Sequence, residues 1–284
     1  MTRYRRLTPR TASAPSGVPT PARQDAPEYR WADLLGEAVS KPGTVAHCYS
    51  IFWSYSLGNQ LAALGQCQAR GIQPGPINTY AGWQALGRQV RRGERAIWLC
   101  QPITCQRPAD DAEDEGDVYT RFVWRPRWFV LSQTDGAEYT PPVLPDWDAA
   151  RALEALGVTE EPFTHTDGNC QGYSKPGRVL AVNPVAAHPE RTLLHELGHI
   201  MLGHLDERRE LAGPLKEIQA EAVAYLGADA LGLGGADESR GYIQWWMSRG
   251  GRLDEATARR IFRAADSILQ AGRPVAAPAA ALAA

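Results

Sequence analysis

Two histidines and a glutamate stand at His195-Glu196-Leu197-Gly198-His199, the pattern HExxH, inside an apolar run from Thr192 to Leu202. On an α-helix, side chains four apart share a face with Cβ atoms about 5–6 Å apart, so two imidazoles at that spacing can grip one metal ion. Glu196, one step round, can lie beside the ion's open position and take a proton from bound water. The chemistry expected is that of a zinc hydrolase acting on a peptide; other divalent metals suit the same donors. Leu194, Leu197, Ile200 and Met201 form an apolar stripe, which predicts a helix buried along one side.

A catalytic zinc takes three protein ligands and keeps one position open. The segment from Lys216 to Tyr225 predicts a second helix, with Glu217 and Glu221 four apart on one face. One carboxylate can complete the ligand set while the other accepts the free N–H of a ligand histidine and fixes its tautomer. Glu217 as ligand and Glu221 as acceptor is one assignment. The exchange of roles is the other, and spacing does not separate them. His204 follows Gly203, about 140° round the helix from His199. It reads as a partner of the helix C-terminal dipole or as a surface residue, not as a ligand. Tyr225 or Tyr242 is the candidate to stabilise an oxyanion.

Several elements must position these groups. Helices are expected over Ala32–Val39, Ser54–Arg70, Tyr80–Val90, Asp148–Leu156, Ser239–Arg249 and Leu253–Gln270, and strands over Ala96–Cys100 and Val118–Leu131, the latter broken at Pro126. Asp110–Asp117 reads as an acidic loop, and Pro141, Pro142 and Pro145 mark a boundary near residue 145. Arg178–Val182 is a strand just before the metal helix, where a substrate could pair by β-addition. The segments 1–28 and 273–284, Arg/Pro/Ser-rich and Pro/Ala-rich, read as disordered tails.

The chain has 284 residues and a net charge of −2, with about +8 in residues 1–108 and −10 in the rest. That split suggests two parts with different partners, the basic one facing nucleic acid. Five cysteines, odd in number and without CxxC spacing, speak against a disulfide framework and against a cysteine-ligated zinc. A reducing cytoplasm fits best. No stretch approaches the ~18 uninterrupted apolar residues of a membrane span, so no membrane partner is expected. The basic part sets aromatic rings beside arginines: Tyr49, Phe52, Trp53, Tyr55, Tyr80 and Trp83, then Arg88, Arg91, Arg92, Arg95 and Trp98. Single-stranded nucleic acid is held by that combination, bases on rings and phosphates on guanidinium groups. Core positions for Trp53, Trp83 and Trp98, and a solvated turn for the arginines, are the competing assignment.

The stretches Phe52–Leu61, Thr79–Val90 and Arg92–Ala96 resemble the N-terminal domain of ArdC-type antirestriction proteins. Thr192-Leu193-Leu194-HELGH, Glu217-x-x-x-Glu221 and Gly241-Tyr242-Ile243-Gln244 resemble the ArdC and IrrE/ImmA-like zincin domain. The resemblance covers about residues 30 to 272, in the same order. It implies an α+β protein with a small mixed N-terminal single-stranded-DNA-binding domain over 29–140. A mainly helical, gluzincin-like metallopeptidase domain follows over 146–272. It implies a protein of plasmids and other mobile elements that protects incoming DNA from restriction during transfer such as conjugation. It favours His195, His199 and Glu217 as zinc ligands, Glu196 as base and Glu221 behind a ligand histidine, although close relatives often carry an acid at the position of Gln219. The expected DNA contacts are Phe52, Trp53, Tyr55, Asn59, Tyr80, Trp83, Arg88, Arg91 and Arg92. Two other functions share these motifs: an IrrE/ImmA-like regulatory protease that cleaves a repressor, and a pure DNA-binding protein whose metal is structural.

Overall fold

In the computed structural model of the chain, residues 29–106, 118–165, 169–206 and 212–274 are described. The order is α1 (Trp31–Ser40), α2 (Thr44–Phe52), α3 (Leu57–Arg70), β1 (Ile77–Thr79), α4 (Tyr80–Ala85), β2 (Arg88–Val90), β3 (Ile97–Gln106), β4 (Val118–Val130) and β5 (Thr134–Gly136). Then follow α5 (Ala149–Leu156), β6 (Thr159–Glu160), β7 (Gly172–Lys175), β8 (Val179–Val182), α6 (Pro189–Leu202), α7 (Gly213–Leu231), α8 (Ala236–Ser248) and α9 (Glu255–Ala271). The strands make three small sheets, ordered β1-β4-β3, β2-β5 and β6-β8-β7. The N-terminal part is strand-rich and the C-terminal part helical, the α+β class expected. The acidic loop and most of both expected tails lie outside the described residues.

The core does not break near residue 145. One cluster of buried side chains runs from Leu34 and Phe52 through Ile97 and Trp128 to Leu197, Tyr225, Phe262 and Leu269. Each such large apolar side chain, fully buried, contributes about 1.5–3 kcal/mol. Helix α7 joins the two parts. The Tyr225 hydroxyl donates to the Ala38 carbonyl at the end of α1 (2.7 Å), and Asp229 Oδ2 accepts from Val45 and Ala46 N–H (3.1 and 3.3 Å). Helix α2 begins at Gly43 with φ 72° and no side-chain cap of its own, so Asp229 serves as its remote N-cap. The signal for α2 therefore lies far away in sequence, and the apolar pattern alone gives no start for it.

Other expectations change in detail. The helix expected to reach Val90 stops at Ala85; Gly87 takes φ 71°, and Arg88–Val90 pairs with β5 instead. Pro126 does not break β4. Ile97 pairs with Trp128 and Trp98 with Pro126, so Arg127 is the extra residue of a bulge, and a proline is tolerated there. Arg273, expected in a disordered tail, is ordered: its guanidinium donates to the Tyr49 hydroxyl and the Trp53 carbonyl.

Helix α3 covers the free edge of β3. Asn59 bonds both the N–H and C=O of Cys100 (2.8 and 3.0 Å), and Gln66 does the same for Trp98 (2.8 Å each). Two side-chain amides thus stand in for a neighbouring strand, which closes an edge otherwise open to pairing.

Candidate metal centre

The metal helix α6 starts with Pro189 in its first turn and ends at Gly203, which is left-handed at φ 69°. It packs against α7 at Gly198, where a Cβ would lie 3.2 Å from the Ala220 Cα and carbonyl oxygen. The glycine in HELGH is therefore a close-approach residue that lets α7 deliver its carboxylates. On the other side β7 lies against α6. A Cβ on Gly172 would come within 2.7 Å of Thr192 Cγ2, so that position too is restricted to glycine.

His195 Nε2 and His199 Nε2 are 3.1 Å apart, and the Glu217 carboxylate lies 3.4 Å from the first and 3.6 Å from the second. Their ligand atoms all fall within 4.8 Å of one another. Two donors bound at 2.0–2.1 Å with a tetrahedral angle between them are separated by about 3.3 Å, so the donor set fits a divalent ion. His195 Nδ1 meets Glu221 Oε2 at 2.8 Å, and Glu221 in turn is bonded by Arg191, which also reaches Ser239 Oγ at 2.8 Å. The Glu221 side chain is 7% exposed and that of Glu217 is 52%. Burial works against the Glu221 charge, but His195, Ser239 and Arg191 hold its carboxyl down at about 2. Burial likewise opposes the His195 cation, and Glu217 and Glu221 outweigh it, so the imidazole sits up at about 9. Bonds from His195 and His199 hold the Glu217 carboxyl well below its usual range. Burial pushes Glu196 upward, opposed by the histidines and by a hydrogen bond from Ser174.

His204 is neither a surface residue nor a dipole partner. It is buried, its Nδ1 3.2 Å from His199 Nδ1 and its Nε2 3.1 Å from Gln219 Oε1. The left-handed Gly203 turns the chain back, with the His204 N–H on the His199 carbonyl (3.0 Å), so the angle expected from a continuing helix does not apply. Burial keeps its imidazole at about 4, hence neutral. The two metal-facing histidines are thus backed differently, His195 by a carboxylate and His199 by a neutral imidazole–amide chain.

The cleft over these groups, about 400 Å³, is lined by Gly172, Tyr173, Ser174, His204, Lys216 and the HExxH and Glu217 side chains. The strand on its rim is β7. The strand expected there, Arg178–Val182, is the central β8, flanked by β6 and β7. Neither tyrosine proposed for the oxyanion lines this cleft. Tyr225 is buried with its hydroxyl on Ala38, and Tyr242 is exposed and stacked on Trp245. Sequence reasoning missed Arg191, Ser174 and His204. Arg191 alone carried a signal, four residues before His195 on the same face.

Residues 37–125 match the family model for the N-terminal domain of the anti-restriction factor ArdC, and residues 154–230 match the IrrE N-terminal-like domain, a peptidase family. The chain thus carries an ArdC-type N-terminal domain followed by an IrrE-like peptidase domain, in the order expected. A Sinorhizobium fredii protein described as uncharacterized, y4eC, is 31% identical over 196 residues. That match covers 63% of this chain and 60% of the relative, so this chain spans less than two thirds of the relative's length. The antirestriction protein ArdC from plasmid R388 has been solved metal-free and with Mn(II). These structures align with TM-scores of 0.48 and 0.49 at 19% and 20% identity, covering 85% of this chain and 94% and 97% of theirs.

Within the ArdC-type N-terminal domain, the expected DNA contacts divide. Phe52 (1% exposed) and Trp83 (0%) are core side chains, and no base can stack on a ring so enclosed. Trp83 Nε1–H is spent on the Phe129 carbonyl, Tyr55 O–H on the Ile77 carbonyl, and Asn59 on Cys100. Trp53 is partly buried under the Arg273 guanidinium, 5.1 Å from its ring centroid. Arg88 pins β5, reaching Thr134 Oγ1 and C=O and the Ala137 carbonyl. Arg91 is paired with Glu94 and Asp135. Tyr80 and Arg92 remain exposed.

Proposed function

We propose that this protein is an antirestriction factor that binds single-stranded DNA with its ArdC N-terminal domain and carries a Zn2+ peptidase centre on His195, His199 and Glu217. The convergence of these three donor groups beside Glu196 carries the reading. A divalent ion held there would polarise a peptide carbonyl and lower the pKa of a bound water to about 7.

The chain's own residues supply the rest. Glu196, its carboxyl pushed up by burial and steadied by Ser174, accepts the proton from water. Glu221, locked by Arg191, holds the His195 Nδ1–H and so keeps Nε2 free as the donor atom. The outer edge of β7 offers main-chain groups for an extended peptide at the cleft rim, since β8 occupies its other edge. No helix among the described residues is long and apolar enough to cross a membrane. The location in which the protein meets incoming DNA is, on this reading, the cytoplasm.

Fluorescence anisotropy with a labelled single-stranded oligonucleotide and its duplex tests the DNA half. The expected result is preferential single-strand binding that weakens steeply with salt; a salt-independent signal is evidence against it. Transfer of unmodified plasmid DNA into a restricting host tests protection, with Glu196→Gln separating the two activities. Loss of protection in that variant would tie antirestriction to hydrolysis, and retained protection would tie it to DNA binding alone.

A further inference from the structure

Most arginines whose contacts are seen in this chain are spent. Arg70, Arg88, Arg151, Arg178 and Arg260 are bonded to backbone carbonyls, and Arg91, Arg191 and Arg240 to carboxylates. Strand β4 is different. Trp124 stacks on Trp31 of α1 with ring centroids 6.3 Å apart, and Trp128, opposite Ile97 beyond the bulge, is buried. Along the same strand Tyr119, Arg121, Arg125 and Arg127 are exposed. Among the described residues, none of these three guanidinium groups has a hydrogen bond or an ion pair. Arg127 is the extra residue of the bulge, two positions beyond Arg125.

Residues two apart on a strand are separated by about 7 Å, inside the Debye length of ~8 Å at physiological salt. Arg125 and Arg127 therefore repel each other, and among the described residues no carboxylate is paired with either. Such a row is a poor device for stability and a good one for releasing counterions to a polyanion. Two residues beyond Arg127, Phe129 forms one wall of an open cleft of about 620 Å³, whose other walls include Tyr80, Gln89 and Arg92. Tyr80 is 44% exposed, and Gln89 Nε2 lies 2.5 Å from its hydroxyl. The acids of this cleft, Glu94 and Asp135, are both paired with Arg91, and Arg92 is its second arginine, so the four charges balance.

We propose that β4, along its exposed arginines, is the track for single-stranded DNA. Arg121, Arg125 and Arg127 carry successive phosphates, and the cleft at its end takes a base on the Tyr80 ring. This rests on the DNA-binding reading above and assigns its place, away from Arg88 and Arg91, which are tied into the fold. From Tyr119 to Phe129 the strand spans about 33 Å, the scale of a several-nucleotide site. A single strand fits better than a duplex because a stacking ring needs an unpaired base face.

The test uses the full chain and a fluorescein-labelled oligo-dT, with anisotropy titrations at several salt concentrations. Each phosphate contact on a single strand contributes about 0.7 to the slope of log K against log salt. The variant Arg121→Ala/Arg125→Ala/Arg127→Ala should flatten that slope by about 2 and weaken binding about 100-fold at 0.1 M salt. Tyr80→Ala should weaken it about 5- to 150-fold with the slope unchanged. A charge-matched control, Arg30→Ala/Arg249→Ala/Arg252→Ala, should stay close to wild type. The substituted side chains are exposed, and circular dichroism checks that each variant is folded. If wild type binds and the β4 variant keeps both affinity and slope, the track is wrong while the DNA reading stands. Equal losses in variant and control would also overturn it, as a net-charge effect. If wild type binds no single strand, the DNA reading falls and the track with it.

Discussion

Replacing Glu221 and Glu217 one at a time separates two carboxylates that the spacing leaves equivalent. Glu221→Gln keeps the shape but turns an acceptor toward two donors, His195 Nδ1–H and the Arg191 guanidinium, into a group that can satisfy only one. The Arg191 side chain is 20% exposed and keeps Ser239 as a partner, so the cost lies near the lower end of the range for breaking a buried pair, about 3 kcal/mol. In a domain of this size that is a fall in melting temperature of about 6–12 °C for the metal-free protein. Metal affinity should drop about 10- to 100-fold, the usual effect of losing the group behind a ligand histidine. Glu217→Gln should behave in the opposite way. Its carboxylate is half exposed, so its ion pairs with the histidines add less than about 1 kcal/mol, and the metal-free melting temperature should move by no more than about 4 °C. Metal binding, however, loses a direct ligand and should fall further than in Glu221→Gln. Thermal melts of the chelator-treated proteins and competition with a chromophoric chelator give both quantities. A Glu221→Gln protein that melts normally without metal but no longer binds it, beside a Glu217→Gln protein that still does, would refute the assignment.

Four further outcomes are expected. Glu196→Gln should keep wild-type metal affinity and lose hydrolysis of any protein the wild type cleaves, read by chelator competition and gel assay. Gly198→Val should cost about 1–3 kcal/mol by forcing α6 off α7, with metal affinity lowered in parallel; urea midpoints measure the first. Arg88→Ala should lower the melting temperature through loss of its bonds to Thr134 and Ala137, while the folded protein keeps its DNA affinity in anisotropy. Burial raises the Asp266 carboxyl to about 7 against an ordinary value of 3.8, so its folded form binds the proton more tightly. The stability it contributes is present at low pH and is lost as pH rises from about 4 to 7, by at most about 1.4 kcal/mol per pH unit. Asp266→Asn keeps the acceptor for Leu57 N–H and should grow more stable relative to wild type across that window, and a pH-independent difference would contradict this.

What could be read from sequence was what is local. HELGH is a relation between residues four apart on one helix, so its two donor atoms and its base follow from helical geometry alone. Glu217 and Glu221 were legible as a pair but not by role, because role depends on how α7 is rotated against α6. That rotation is set where Gly198 meets Ala220. It turns Glu221 inward to Arg191 and leaves Glu217 at the open end of the cleft. His204 was misread for a related reason: one left-handed glycine ends the helix and folds the next side chain back onto His199. The arginines show the limit of composition. Arg88 and Arg121 are equal in a charge count, yet one is bonded to three acceptors in β5 and its following loop and the other has none among the described residues.

Helix α7 gives these parts a physical connection. Its first turns present Glu217, Gln219 and Glu221 to the metal helix, and its later turns hold α1 through Tyr225 and cap α2 through Asp229. Gly198 fixes its contact with α6 at backbone distance, so α7 has little room to slide without disturbing the donors. Helix α2 lacks a cap of its own, so its first turn depends on α7 staying in register. The N-terminal helices are thus seated by the same element that delivers the third donor. On the proposed reading, a metal bound there would stabilise that seating by the part of its binding free energy that depends on α7 being in place, and, because such coupling is reciprocal, loosening α1 or α2 would weaken the metal by an equal amount.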